Sequence, residues 1–298
     1  MNINIIGVPL KYGCDRDGVE FGPDKLRELG IVEKLTSQRN KVYDMGNIFV
    51  PFVSKEDKFK DHPNMKYLNT IVDVNENLAH LVYSSLKGGS LPLIIGGDHA
   101  LGMGSIAGAS KFFKKIAVVW VDAHGDINDS ASSPSGNIHG MPLAVSMDIG
   151  DSKLTNIYFQ GEKVSPKDVY IIGARDLDEG EIKIAEDNKI NLYTMDKIRE
   201  KGLKDILNTV IESIRNSDVD AVHLSFDIDS LDKDLVPGTG TPVEGGFTLA
   251  EANTILETIL REDFVKSIDF VELNPDLDYD KKTLDVCVEL IETIGEFL

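Results

Sequence analysis

Cysteine is scarce in this sequence of 298 residues, which contains only Cys14 and Cys287. The two positions lie far apart, and they have neither the paired spacing of a zinc finger nor that of a dithiol redox motif. We interpret both residues as buried thiols of a protein that works in a reducing compartment.

Long apolar runs are also absent from the sequence, and no uninterrupted stretch approaches the length of a membrane-spanning helix. The first residues, Met-Asn-Ile-Asn-Ile-Ile-Gly, have no basic segment ahead of an apolar stretch. They therefore do not resemble a secretory signal. A soluble cytoplasmic protein that does not act at a membrane is the expectation.

Basic residues are outnumbered, because Lys plus Arg number 31 and Asp plus Glu number 50, which gives a formal net charge of −19 at pH 7. This balance excludes a nucleic-acid partner, since such a partner requires a basic surface. The acidic charge serves solubility on one interpretation. On a second interpretation, compatible with the first, its field attracts metal cations and a cationic substrate.

Short runs rich in Ile and Val alternate with amphipathic stretches along the whole chain. The runs have the length of buried parallel strands and cover residues 3–7, 91–95, 116–121, 168–173, 221–226 and 266–271. The amphipathic stretches are spaced like crossover helices and include residues 23–29, 67–86, 203–215, 249–260 and 284–297. We predict a single α/β domain over residues 1–298, built as a three-layer α-β-α sandwich around a central, mostly parallel sheet.

Ionisable residues follow two of the predicted strands at every second position. Asp122, His124 and Asp126 follow the strand at residues 116–121, and Asp227 and Asp229 follow the strand at residues 221–226. Because side chains alternate in an extended chain, each set lies on one face. Both sets come at the carboxyl ends of strands, where open α/β sheets bind their ligands.

A third predicted strand, at residues 91–95, leads through two glycines to His99, which the tight turn would expose at the same edge of the sheet. No Lys or Arg lies within either acidic set, so the grouped carboxylates require cations. Six ligands, mostly hard oxygen donors, suit a pair of ions such as Mn²⁺, with zinc, cobalt or iron as alternatives. His223, deeper along its strand, is predicted to be a core histidine.

Six motifs occur in the order that one known family shows. They are residues 96–99 (GGDH), 122–128 (DAHGDIN), 135–140 (SGNIHG), 173–178 (GARDLD), 225–232 (SFDIDSLD) and 271–275 (VELNP). With these motifs the chain closely resembles the ureohydrolases, and within them the bacterial arginase branch, over nearly its whole length. The resemblance implies an arginase-like fold and hydrolysis of the guanidinium group of L-arginine to L-ornithine and urea, with two Mn²⁺ ions as cofactors.

The resemblance also implies the metal ligands and the catalytic groups. One ion would be held by His99, Asp122, Asp126 and Asp227, and the other by Asp122, His124, Asp227 and Asp229. Asp122 and Asp227 would bridge the ions, and a hydroxide between the ions would attack the guanidinium carbon. Glu272 would hold the guanidinium through paired hydrogen bonds. His139 would donate or shuttle the proton that the leaving amine needs, and Asp126 would relay one from the bridging water.

Substrate-binding positions follow from the same resemblance. Asn128, Ser135 and Asn137 match positions that bind the α-carboxylate. Asp178 matches the α-ammonium position with Glu181 as an outer partner, and Thr241 matches a position near the guanidinium. Other interpretations exist, because Ser135 and Asn137 are common turn residues and Asp178 and Glu181 could cap a helix.

Agmatinase or another guanidino-compound hydrolase is the principal alternative. Residues 237–242 (PGTGTP) are also typical of agmatinases, so this loop leaves the substrate open. Agmatine, however, has no α-carboxylate for Ser135 and Asn137 to bind, which favours L-arginine. A catalytically silent binding protein of this fold should have lost metal ligands, and a related deacetylase would hold one zinc, whereas all six ligands are present. The resemblance further suggests a homo-oligomer, a trimer or a hexamer.

Overall fold

One parallel sheet organises the described part of the chain, residues 1–37 and 40–298 of a computed structural model. Its eight strands lie in the order β2-β1-β3-β8-β7-β4-β5-β6, and every strand pairing is parallel. The strands are β1 Asn2–Val8, β2 Lys41–Asn47, β3 Leu91–Gly96, β4 Ile116–Val121, β5 Val169–Ile172, β6 Asn191–Tyr193, β7 Ala221–Asp227 and β8 Val265–Val271. The predicted α/β class and parallel sheet are confirmed.

All six predicted strands are present, but the sequence pattern did not reveal β2 and β6. Both of these strands lie at the edges of the sheet. Strand β2 is largely exposed, and the three residues of β6 are half-buried. An edge strand buries less of its surface, so it lacks the continuous apolar run by which the inner strands were recognised.

Helices connect the strands, and the five predicted helices are all present with ends shifted by at most two residues. The helices of the described residues are α1 Gly22–Glu28, α2 Ile31–Ser37, α3 Leu68–Lys87, α4 Gly102–Phe112, α5 Pro142–Ser146, α6 Ser152–Thr155, α7 Glu179–Asn188, α8 Met195–Lys201, α9 Leu203–Arg215, α10 Leu249–Leu260 and α11 Lys282–Phe297. No described helix is long and apolar enough to cross a membrane.

The helices form two layers because successive strand residues face opposite sides of the sheet. In β4, Val119 and Val121 belong to one apolar core, which includes residues of α1, α2 and α8 to α11. Val118 and Trp120 belong to the other core, which includes residues of α3, α4 and α5. The predicted three-layer sandwich is therefore confirmed.

The two cysteines are free, as expected, but only Cys287 is buried. Cys14 is half-buried, because it lies in the surface loop that follows β1 rather than in a core layer. The prediction that both thiols are buried was thus wrong for Cys14.

Strands β3, β8, β7 and β4 are neighbours in the middle of the sheet, so their carboxyl ends meet. The strand register pairs Val121 with Phe226, and Asp227 with Val271. Residues that follow these four strands therefore converge on one site.

Candidate active site

His99 begins a single 3-10 turn directly after β3, which Asp98 caps by accepting the Ala100 N–H at 3.0 Å. The His99 ring stacks on Trp120 with 3.9 Å between ring centroids, and its Nε2 lies 2.7 Å from Ser225 Oγ. When Nε2 carries the proton and donates to Ser225, the lone pair of Nδ1 is left to bind a cation. The fold therefore presents His99 Nδ1 as a ligand atom.

Three carboxylates surround this buried nitrogen. His99 Nδ1 lies 2.9 Å from Asp122 Oδ2, 3.1 Å from Asp126 Oδ2 and 3.1 Å from Asp227 Oδ2. It has no hydrogen-bond partner among the described residues. In a buried site this arrangement is stable only with a cation between the nitrogen and the carboxylate oxygens, either a proton on Nδ1 or a metal ion.

A second group adjoins the first. His124 Nδ1 lies 3.1 Å from Asp229 Oδ2 and 3.3 Å from Asp122 Oδ1. Thr241 Oγ1 donates to Asp229 Oδ2 at 2.9 Å. Ligand atoms of Asp122, His124 and Asp229 all lie within 4.8 Å of one another, as do those of His99, Asp122 and Asp227. Asp122 is common to both groups; Asp227 lies in the first group, and its bridging role stays a prediction.

The electrostatics of the cluster also favour bound cations. Burial raises the pKa of Asp227 well above its ordinary value and that of Asp126 to about 6. For Asp122 burial acts in the same direction, but the neighbouring imidazoles of His124 and His99 lower its pKa overall. When ionised, the four buried carboxylates carry more negative charge than the two histidines can neutralise. The donor set fits two divalent ions with a preference for oxygen ligands.

Glu272 directly follows β8 and adopts a left-handed backbone conformation, with φ of 70°. A non-glycine residue in this conformation costs about 1–3 kcal/mol and is typical of functional sites. Its Oε1 accepts the His99 N–H at 2.9 Å and lies 3.3 Å from His139 Nδ1. Its Oε2 is buried and has no hydrogen-bond partner among the described residues. This carboxylate oxygen is available to a donor such as a guanidinium.

The catalytic and substrate-binding candidates other than Glu272 line one cavity of about 270 Å³. Burial alone would lower the pKa of His139, but its hydrogen bond with Glu272 and the negative charge of that carboxylate raise it. The predicted residues that line the cavity are His124, Asp126, Asn128, Ser135, Asn137, His139, Asp178, Glu181 and Thr241. The structure thus brings these side chains together around the metal-ligand groups.

Asp178 and Glu181 also cap a helix, as one interpretation of the sequence held. Asp178 Oδ1 accepts the Glu181 N–H at 2.9 Å, and Glu181 Oε2 accepts the Asp178 N–H at 3.2 Å, which forms a capping box at the start of α7. Asp178 Oδ2 remains oriented by Asn128 Nδ2, which donates to it at 2.8 Å. Burial raises the pKa of Glu181 to about 7. Asp178 therefore caps α7 and also lines the cavity.

Ser135 and Asn137 form a turn, as the second interpretation of the sequence held. Ser135 Oγ accepts the Asn137 N–H at 3.2 Å, which closes a tight turn in the loop at residues 128–137.

His223 is a core histidine as predicted: it is fully buried and bonded to Ser267 Oγ at 2.7 Å and to Asp269 Oδ2 at 3.0 Å.

Arg175 is a residue to which the sequence pattern gave no role, although it lies within the motif at residues 173–178. Its guanidinium donates only to main-chain carbonyl oxygens in the contacts of the described residues. These six acceptors include Asp229 at 2.8 Å and Leu231 at 3.0 Å after β7, and Val243 at 2.9 Å and Glu244 at 3.0 Å in the loop of Thr241. Arg175 therefore ties a metal-ligand turn to the Thr241 loop.

Fold and site together define an α/β enzyme with a candidate centre for two metal ions at the carboxyl edge of its sheet. A family model described as "Arginase family" matches residues 1–295. The chain belongs to the arginase family and is a hydrolase that acts on a guanidino C–N bond.

Individual relatives agree with this assignment. An arginase from Brevibacillus brevis is 42% identical over 98% of this chain and 97% of its own length. The crystal structure of an arginase from Bacillus cereus superposes with a TM-score of 0.92 at 37% identity and covers 99% of this chain and 98% of that one. An Entamoeba histolytica arginase, crystallised in complex with L-ornithine, has a TM-score of 0.90 at 34% identity, with 99% and 97% of the two chains covered.

Proposed function

We propose that this protein is an arginase that hydrolyses L-arginine to L-ornithine and urea with two Mn²⁺ ions. The observation that carries the proposal is the pairing of His99 Nδ1, surrounded by three carboxylates, with the unpartnered Glu272 Oε2 beside it. The first group suits a metal ion and the second suits the guanidinium of the substrate. The relative crystallised with L-ornithine, the product of arginine hydrolysis, supports the choice of substrate.

The ligands would divide between the ions as the family resemblance implies. His99, Asp122, Asp126 and Asp227 would hold one ion, and Asp122, His124, Asp227 and Asp229 the other. Two ions bound here would lower the pKa of water and so supply a nucleophile at neutral pH. Mn²⁺ is proposed because most of the ligand atoms are carboxylate oxygens.

The protein groups around the ions would orient the substrate and move protons. Glu272 would accept paired hydrogen bonds from the guanidinium and so place its carbon at the metal-ligand groups. Asp126 would accept the proton that the attacking water loses. His139, on the cavity wall, would deliver a proton to the leaving amine nitrogen, without which the C–N bond would not break readily.

The far end of the substrate would be bound by neutral and acidic groups on the cavity wall. Asn128, Ser135 and Asn137 would donate hydrogen bonds to the α-carboxylate. Asp178 would accept from the α-ammonium, with Glu181 behind it, and Thr241 would contact the guanidinium side. Agmatine has the guanidinium but lacks the α-carboxylate, so it separates these two recognition tasks.

Urea release tests the proposal. Protein reconstituted with Mn²⁺, or treated with a chelator, is supplied with L-arginine, agmatine and guanidinobutyrate in parallel. We expect turnover of L-arginine that depends on Mn²⁺ and exceeds turnover of the other two compounds. A preference for agmatine would contradict the proposed carboxylate contacts, and the absence of urea from all three would contradict the enzyme itself.

We also propose that residues 1–298 form one catalytic domain and that the protein works in the cytoplasm as a homo-oligomer, a trimer or a hexamer. Light scattering coupled to size-exclusion chromatography would measure the mass of the assembly. A monomer at micromolar concentration would contradict the oligomer.

A further inference from the structure

A segment outside the cavity wall supports the loop that carries Ser135 and Asn137. The Lys66 N–H donates to the Gly136 carbonyl oxygen at 3.0 Å. Gly136 has a φ of 71°, and a Cβ at this position would lie 2.7 Å from the Asn64 carbonyl oxygen. Only glycine fits this approach without strain, so the loop is held closely against the segment at residues 64–66.

The side chain of Lys66 fixes the orientation of the Asn137 amide. Lys66 Nζ donates to Asn137 Oδ1 at 2.7 Å, and Asn137 Nδ2 donates to the Cys14 carbonyl oxygen at 3.2 Å. The reversed amide would set its NH₂ group against the ammonium and its oxygen against the carbonyl. Because Nδ2 carries two hydrogens and Cys14 accepts one, the other is available to the cavity that Asn137 lines.

Lys66 also brings positive charge to this end of the cavity. Its side chain is only 14% exposed, and its Nζ lies 3.0 Å from Asp15 Oδ2, which Lys58 Nζ also contacts at 3.0 Å. Two lysines share one carboxylate, so the trio carries a net positive charge in a chain whose formal net charge is −19. Such a charge attracts an anionic group and gives nothing to a substrate that lacks one.

We propose that Lys66 is a positioning residue that sets the preference of the site for ligands with an α-carboxylate, by orienting the Asn137 amide and placing positive charge behind it. The inference rests on the proposed function, because it assumes that Asn137 faces the carboxylate end of the substrate. Lys66 touches no reacting atom and acts through Asn137.

The test compares Lys66→Met with the matched control Lys58→Met, which removes the other lysine on Asp15 and leaves the contact with Asn137 in place. Calorimetry on the metal-reconstituted proteins measures binding of L-ornithine and of putrescine, which lacks the carboxylate. We expect Lys66→Met to weaken L-ornithine binding about tenfold, because the variant loses the charge-assisted hydrogen bond to Asn137, which in turn contacts the ligand. Putrescine binding should change by less than about twofold in both variants. Lys58→Met, which removes the same charge but keeps the contact of Lys66 with Asn137, should weaken L-ornithine by no more than about threefold.

Kinetics provide a second measurement. Lys66→Met should raise KM for L-arginine about tenfold and leave kcat within about twofold, whereas Lys66→Arg should recover most of the affinity because it retains the charge and a donor. Equal losses for L-ornithine and putrescine, or equal effects of the two Met variants, would overturn the inference. A wild-type protein that does not favour L-ornithine over putrescine would also overturn it, whereas absence of urea alone would contradict only the proposed function.

Discussion

Replacement of Ser225 by alanine should weaken metal binding without touching a metal ligand. Ser225 Oγ lies 2.7 Å from His99 Nε2, on the side of the ring opposite the three carboxylates. Loss of this partner removes the group that fixes the tautomer and direction of the ring. Such partners change metal affinity by roughly 10- to 100-fold, or about 1.4–2.8 kcal/mol. We therefore expect Mn²⁺ affinity to fall within this range.

The chain offers a matched control in Ser267. It is also buried and also bonded to a histidine, His223, at 2.7 Å, but that histidine is no metal ligand. Each serine-to-alanine change leaves a buried imidazole nitrogen unpaired, which costs about 1–3 kcal/mol of folding free energy. Both variants should lose similar thermal stability as apo-proteins, and only Ser225→Ala should lose metal affinity.

Calorimetric titration of each apo-protein with Mn²⁺, together with metal analysis after dialysis, provides the readout. Equal Mn²⁺ affinity in wild type, Ser225→Ala and Ser267→Ala would refute the reasoning. It would mean that the stack of His99 on Trp120 alone orients the ring.

Three further variants test other parts of the site. His139→Ala should lower kcat about 100-fold or more with unchanged metal content, since it removes a proton donor; loss of metal would make His139 a ligand instead. Asp227→Ala should nearly abolish urea release and lower the bound Mn²⁺ measured by metal analysis, and an unaffected rate would contradict the two-metal proposal. Arg175→Lys keeps the charge, but an ammonium with three N–H groups cannot bond all six carbonyl oxygens, so we expect about 2–4 kcal/mol lower stability by denaturant unfolding and a raised KM. Unchanged stability and KM would show that the turn after β7 and the Thr241 loop keep their positions without the hydrogen bonds of Arg175.

The class of fold and the identity of the candidate ligands could be predicted from residue patterns alone. Buried parallel strands are continuous apolar runs, and such runs were visible at all six inner positions. Alternation of side chains predicted one face for Asp122, His124 and Asp126. The structure does bring them together, but β4 ends at Val121 and Asp126 has a left-handed backbone with φ of 53°, so the turn rather than an extended strand places them. The meeting of strand ends in a parallel sheet correctly predicted that they lie near Asp227 and His99. These deductions need only local periodicity, which is why they could be made without coordinates.

The grouping and support of those residues depend on packing between distant segments, which residue patterns do not reveal. The structure shows that Asp122 lies in both groups of ligand atoms, and it reveals the exposed edge strand β2. It also supplies the contacts of Lys66 and Arg175 with segments far away in the sequence, 71 positions from Lys66 to Asn137 and 54 from Arg175 to Asp229. Side-chain directions in loops depend on which distant segments pack against them, and no local pattern of residues carries that information.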